Sequence, residues 1–565
     1  YGFPLFLVKD EPTLVYGALK MAELKTLLPV FHQEEFKKVL YYPPAPSYFF
    51  LLILSPFIGA HYLLSGAPPL SEYKDILALD PSFIWIIARA ATVFLGVFNI
   101  FVIWLLAKKL FKSERAGLFA ALFLALSFYH LQLSHVVRHW LFATVLIYIV
   151  WFLAAKIAEG EGGMKDYLFA GTILGVSVGG VNTASVIAAI PLVFAHLFQS
   201  GPRSFMEKLM DRRLIFSLFI FLLIAAAFVA LYPYGFTRAE GALSPGADVV
   251  QRLSGLSQKS ISGLAEFLGF YAKLLLRYEA VLFAFALLGG ALLLFKRNWR
   301  WVLTGVVYFL LYFTLLYLFF NPIPRGLIFV LPLLAVFAGY AANCLWEELQ
   351  KRILQYIDVL KYSATLFRIA ACALFFFALF GWQFATDIRY DWLILQPDTR
   401  IAAREWVFKN IPENTKILVD SQYLRFINTK AGIRELERID HSGLRAADFV
   451  LLHTPEERYP RPAHHILNLH FVSEELPETK ISDSEFFRKQ GFRYFIVEHD
   501  YLDGRDLSSQ AKALMRGARL IQRFDNLSSA EFETALDVGG EIATISLFDL
   551  FRIRRLGKIV EIYGL

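Results

Sequence analysis

Apolar residues fill the chain in long blocks, near residues 47–64, 83–107, 116–133, 140–157, 167–181 and 183–198, and again near 214–232, 280–295, 302–320, 327–346 and 368–385. Most approach the roughly 17 to 25 residues that a helix needs to cross about 30 Å of hydrocarbon. A helix satisfies its own backbone polar groups in lipid. An outer-membrane barrel would instead alternate polar and apolar residues over strands of about ten residues, and that alternation is not evident. Basic loops at Lys108, Lys109, Lys112 and Arg115, at Arg203 to Arg213, and at Lys296, Arg297 and Arg300 separate the blocks. The positive-inside rule puts these loops in the cytoplasm. The segment from Tyr234 to Glu279 then lies outside, as does a loop from Lys9 to about Pro46 whose five Lys offset five Asp or Glu.

Strict alternation fails once, because three blocks separate the first loop from the outward end near Arg138, where an even number is required. One short early block is therefore read as re-entrant or tangential. Only about eight apolar residues precede Lys9, too few for a span, so the chain is expected to start inside its first membrane helix. The expectation is a polytopic α-helical membrane protein of about eleven spans, or about thirteen if residues precede Tyr1.

From about Asp387 the blocks stop and the pattern becomes that of a soluble α/β domain. Residues Thr399 to Asn410 read as a helix, Pro412 and Asn414 as a turn, and Lys416 to Val419 as a strand. A second step runs from a helix at Glu485 to Gln490 into a strand at Tyr494 to Val497, with Gly491 as the helix stop. The division expected is a multi-span region over 1–386, with the first outer loop at 9–46, and a soluble domain over 387–565. No Gly-rich phosphate loop or metal motif occurs in the latter.

Composition sharpens this picture. A chain that is 57% hydrophobic and 19% charged, with positive mean hydropathy, carries more apolar surface than one globular core can hide. The net charge of +7 is accounted for by the cytoplasmic loops, and no nucleic-acid partner is implied. The two cysteines, Cys344 and Cys372, provide neither a disulfide framework nor a thiolate zinc site.

Candidate chemistry gathers in the first loop, at Lys9-Asp10-Glu11-Pro12, then Tyr16, Lys20, Pro29, His32 and Tyr41-Tyr42-Pro43-Pro44. Adjacent carboxylates at a membrane surface are costly to keep charged and are usually functional. Helix capping is the structural alternative, since acids favour a helix N-terminus and Pro12 suits its first turn. The order Asp-Glu, a Leu-x-Pro segment and Tyr-Pro-Pro opening the next span resembles the GT-C membrane glycosyltransferases. The similarity is to the branch of protein O-mannosyltransferases and the aminoarabinose transferase of lipid A, including bacterial and archaeal members. It continues through Ala88-Arg89, Gly96, Lys108 to Phe111, Ala125-Leu126-Ser127 and Ser134-His135-Val136-Val137-Arg138. Beyond these it takes in Asn321-Pro322-Ile323-Pro324-Arg325, Pro332, Asp398-Thr399-Arg400, Glu405-Trp406 and Ile411-Pro412.

The resemblance implies transfer of a sugar from a polyprenyl phosphate to an outer-side acceptor, which can be protein, lipid or glycan, with inversion at the sugar. It implies residence in the plasma (inner) membrane with the soluble domain extracytoplasmic. Asp10 matches the family's catalytic acid and is the candidate base, and Glu11 is its supporting neighbour. Arg138 is the candidate phosphate partner, because a permanently charged fork suits phosphate. Arg325 is a second candidate, with snorkelling to the interface as its alternative. His135 and His139, four residues apart, are candidate substrate contacts. They also raise a divalent metal with Asp10 as third ligand, although interfacial hydrogen bonding explains such histidines too. Tyr16, Tyr42 and Lys20 complete the candidate substrate-binding set.

Two positions depart from the family pattern. Several family members carry an acid two residues after the equivalent of Arg138, where this chain has Trp140, and relatives often carry a Lys-Thr or Lys-Tyr pair where it has Asn182-Thr183. These departures keep a non-catalytic GT-C-like subunit as the alternative function, with a transporter behind it.

Overall fold

The computed structural model describes residues 11–37, 39–180, 182–199, 204–234, 260–319, 322–360, 364–439, 446–472, 483–501, 503–526 and 547–565. The described residues divide into two compact units, one comprising 11–57 and Ile87–Asp387, the other Ile58–Ile86 and Ile388–Leu565.

The first unit is helical. It holds all or most of α1 (Glu11–Leu24), α2 (Ala45–Leu64), α3 (Ser82–Phe111), α4 (Glu114–Ala125), α5 (Phe128–Ser134) and α6 (His139–Ala158), residues 58–64 of α2 and 82–86 of α3 being assigned to the second unit. They continue as α7 (Met164–Val178), α8 (Arg212–Leu231), α9 (Ile261–Tyr278), α10 (Ala280–Phe295), α11 (Trp299–Phe319), α12 (Leu331–Leu360) and α13 (Ala364–Leu395), of which residues 388–395 also belong to the second unit. Among the described residues six helices are long and apolar enough to cross a membrane, and eight if each of two bent pairs counts as one span. Leu52, Phe94, Leu222, Leu287 and Phe377 remain exposed on them, as lipid-facing side chains do.

Small residues set the closest helix crossings. Gly171 on α7 faces the Ser217 carbonyl of α8, and Gly289 on α10 faces the Phe337 carbonyl of α12, so near that a side-chain carbon at either position would overlap backbone. Without a hydrophobic drive between helices in lipid, close approach of this kind supplies the packing.

Both bent pairs break at polar residues. The 116–133 block divides into α4 and α5, bent by 65°, where Ser127 caps α5 by accepting from the His130 amide. The pair α9 and α10 is bent by 113° at Glu279, which is buried. One Glu279 carboxylate oxygen accepts from Ser127 Oγ at 2.8 Å and from the Tyr129 amide at 3.1 Å. Tyr278 stacks on Phe128. Each break thus supplies the polar partner of the other.

The second unit carries a five-stranded sheet: β1 (Lys416–Asp420), β2 (His465–Asn468), β3 (Phe492–His499), β4 (Arg519–Phe524) and β5 (Ile559–Gly564), ordered β2-β1-β3-β5-β4. The pairs of β1 with β2 and β3 are parallel, and β5 runs antiparallel to β3 and β4. Alternation in β1 sends Ile417 and Val419 into a core with Ala403, Val407 and Ile411 of helix α14 (Thr399–Asn410). Leu418 goes to the opposite core with Phe487, Phe495 and Leu514. A strand buried on both faces is expected in the parallel part of a sheet. The sequence reading of α14, of the strand at 416–419 and of the second helix-to-strand step agrees with these elements. Gly491 follows the helix Ser484–Lys489 at φ 88°, the left-handed conformation that a glycine adopts freely.

At the head of α14, Asp398 accepts from the Arg400 amide and guanidinium, and Arg400 also reaches Glu498 of β3 at 3.4 Å. All three side chains are almost entirely buried. This ion cluster fastens the helix to the sheet. Within the same unit the helix Leu70–Leu79 packs against the helix Ala446–His453.

Candidate active site

An arginine inside an apolar helix has to find a carboxylate or water, and Arg89 of α3 finds Glu11. Its Nε donates to one carboxylate oxygen at 3.2 Å and its Nη2 to the other at 2.7 Å. Glu11, the first residue of α1, is 2% exposed and also accepts from the Val137 amide at 2.9 Å. That amide is available because residues 135–138 join α5 to α6 without continuing either helix, with Arg138 extended at φ −139°, ψ 152°. One carboxylate therefore ties the first loop, α3 and the segment bearing Arg138 together. Both oxygens of Glu11 are thus engaged by Arg89, one of them also by the Val137 amide. Asp10, the candidate base, lies outside the described residues.

Further contacts hold the same segment. Ser134 Oγ donates to the His130 carbonyl, and Asn99 of α3 meets His130 at 3.3 Å. Gly96 provides the room, since a side chain there would collide with Ser134.

Beyond this anchor two guanidiniums share one ring. The guanidinium carbon of Arg138 lies 4.9 Å from the centre of the Trp140 ring, and that of Arg325 lies 4.7 Å from it. Arg138 is buried and Arg325 half-buried. His139 is buried and packs its ring 4.4 Å from Tyr42 and 5.3 Å from Trp140. The structure thus brings Glu11, Tyr42, Arg138, His139 and Arg325 of the candidate set into one neighbourhood.

Arg325 sits in a 3-10 turn, Pro324–Phe329, whose backbone is held by tyrosine hydroxyls. Tyr271 donates to the Ile323 carbonyl, Tyr312 to that of Gly326, and Tyr148 to that of Phe329, each at 2.8 Å. Pro324 and Gly326 to Phe329 are buried. These contacts fix the backbone that carries Arg325.

The remaining candidates have local partners. Lys20 pairs with Glu23 one helical turn away at 3.0 Å. Tyr16 is partly exposed on α1. His135 turns Nδ1 to the Leu131 carbonyl of its own helix at 3.0 Å. Among the described residues no group of three His, Cys, Asp or Glu side chains is placed to hold a metal ion. The side chains of Asn182 and Thr183 fall outside the description.

Sequence reasoning passed over Arg89 as a site residue, noted Trp140 only as a departure from the family pattern, and did not single out Tyr271 or Tyr312. Arg89 carried a usable signal, a charge within an apolar span. The tyrosines did not, since interfacial tyrosines are common.

No family model matches the chain, and no curated protein matches it. Among solved structures it is similar to ArnT from Cupriavidus metallidurans in the apo state, at 12% identity and a TM-score of 0.44, covering 92% of this chain and 93% of that one. The same protein bound to undecaprenyl phosphate gives 14% identity and a TM-score of 0.39 over 71% and 68%. The oligosaccharyltransferase of Archaeoglobus fulgidus in the apo form gives 13% and 0.43 over 87% of this chain and 66% of that one.

Proposed function

We propose that this protein is a membrane glycosyltransferase that moves a sugar from a polyprenyl-phosphate donor to an acceptor on the outer side of the membrane, with inversion at the anomeric carbon. The observation that carries the reading is the meeting of Arg138 and Arg325 at one aromatic ring, beside the buried Glu11 that directly follows Asp10 in sequence.

Two demands arise in the reaction. The acceptor hydroxyl must lose a proton as its oxygen bonds to the anomeric carbon, and the phosphate must take up negative charge as the carbon–oxygen bond to it breaks. Asp10 accepts the proton. The two guanidiniums hold the departing phosphate, and in a water-poor groove their charge acts with little screening. Glu11, locked by Arg89 and the Val137 amide, keeps the loop that carries Asp10 next to the segment that carries Arg138. The soluble domain lies on the outer side with the first loop, in line with the distribution of basic loops.

The donor half of this reading is tested by purified variants assayed for transfer from a polyprenyl-phosphate sugar. Arg138→Ala should lose at least about 100-fold in kcat/KM, the scale of removing one donor to a developing oxyanion. Arg138→Lys keeps a charge without the fork and should lose less. Folded Arg138→Ala protein with parental kinetics would remove the guanidinium from the leaving-group role.

A further inference from the structure

We infer that Glu279 is a positioning residue for the two arginine-bearing segments. By fastening α9 to α5 it fixes the backbone on which Arg138 and Arg325 are presented. The inference rests on the proposed function and deepens it.

A carboxylate buried in an apolar bundle is costly, and proteins seldom keep one without a use. Glu279 is 1% exposed and stands at the break between α9 and α10. Its Oε1 accepts twice, from Ser127 Oγ at 2.8 Å and from the Tyr129 amide at 3.1 Å. Ser127 Oγ in turn accepts from the His130 amide. The first amides of a helix have no partner within that helix, so an oxygen from a residue 150 positions away serves the head of α5.

The placement of that bond gives it a wider effect, because α5, α9 and the Pro324–Phe329 turn form a triangle. Both helices pack against the turn. On the α9 side the tie is specific: Tyr271 donates to the Ile323 carbonyl at 2.8 Å and accepts from the Ile323 amide at 3.1 Å. Glu279 closes the third side, from α9 to α5. Arg325 lies within the turn, and α5 leads from Ser134 into the segment bearing Arg138, where Glu11 holds the Val137 amide. With the third side untied the two helices can hinge about the turn. With it tied, the segments of Arg138 and Arg325 keep one spacing.

Both donors converge on a single oxygen, and a glutamine carbonyl oxygen in the same place accepts from both. The position therefore requires an acceptor at that point in space, and a negative charge is not needed for the task.

Equilibrium binding of polyprenyl phosphate to the full-length protein in nanodiscs, with melting temperature measured beside it, tests this. Glu279→Ala should weaken binding about 10-fold, within the range for residues coupled through a shared backbone shift. Glu279→Gln, which keeps the acceptor oxygen, should recover most of that loss. Ser127→Ala removes one donor and leaves the Tyr129 amide bonded, so it should fall between the two. A double-mutant cycle separates positioning from a general loss of stability: Arg138→Ala should cost less affinity in the Glu279→Ala background than in the parent, whereas independent losses multiply. If Glu279→Ala does not fold, the same cycle with Ser127→Ala decides. Arg138→Ala and Arg325→Ala in the parent serve as references. If they weaken binding while folded Glu279→Ala binds as the parent does, while Glu279→Gln is as damaging as Glu279→Ala, or while the losses simply multiply, the role of Glu279 is refuted and the proposed function stands. If neither arginine variant weakens binding, the proposed function itself fails.

Discussion

A single carboxylate, Glu11, does three jobs at the residue scale. It opens α1, neutralises a guanidinium inside an apolar bundle and accepts from the amide that precedes Arg138. Removing one partner of such a pair strands a charge in a low-dielectric site, which typically costs about 3–5 kcal/mol, whereas replacing both by apolar groups is far milder. Arg89→Leu should therefore lower the melting temperature sharply, and the Arg89→Leu, Glu11→Leu double variant should regain part of that loss. A double-mutant cycle on purified protein reads the coupling directly. Additive losses would show that the two side chains contribute independently. The acidic pair was legible from the sequence as important, with capping and catalysis as rival readings. For Glu11 the structure joins a helix-start position to a tertiary one. Its partner lies 78 residues away, and no local pattern specifies that pairing. The shared site of Arg138 and Arg325 was hidden for the same reason, although each arginine was individually recognisable as a charge at a span end.

Among the elements, hydropathy located the apolar helices well, because a span is defined by its own composition. Helix breaks are another matter. The 116–133 block shows no interruption in its hydropathy, yet it bends at Ser127, where a buried Glu279 from a distant segment accepts from Ser127 and the Tyr129 amide. That break turns α5 so that its C-terminal end leads into the Arg138 segment, and it depends on a contact that hydropathy cannot register. The sheet shows the same division: β1, β3 and α14 announced themselves through alternation and turn residues, while the order β2-β1-β3-β5-β4 depends on pairings across long stretches of chain. Helix crossings can be tested at Gly171, where any side chain meets the Ser217 carbonyl. Gly171→Val must push α7 and α8 apart, and overpacking of this kind costs about 1–3 kcal/mol. Thermal unfolding in detergent should show the loss, and an unchanged melting point would mean that this crossing relaxes freely.

For the whole molecule, we propose that two arginines of the helical unit receive the lipid phosphate and that Asp10 of the first loop serves as the base. The measurement that bears on it most directly is sugar transfer by Asp10→Asn. This change keeps the shape of the side chain and removes its basicity, so transfer from a polyprenyl-phosphate sugar should fall about 100- to 10,000-fold, as for loss of a general base. Binding of polyprenyl phosphate and the melting temperature should stay near parental values, because the arginine clamp and the Glu11 anchor are untouched. A folded Asp10→Asn protein that transfers sugar at close to the parental rate would contradict the account and leave helix capping as the role of Asp10.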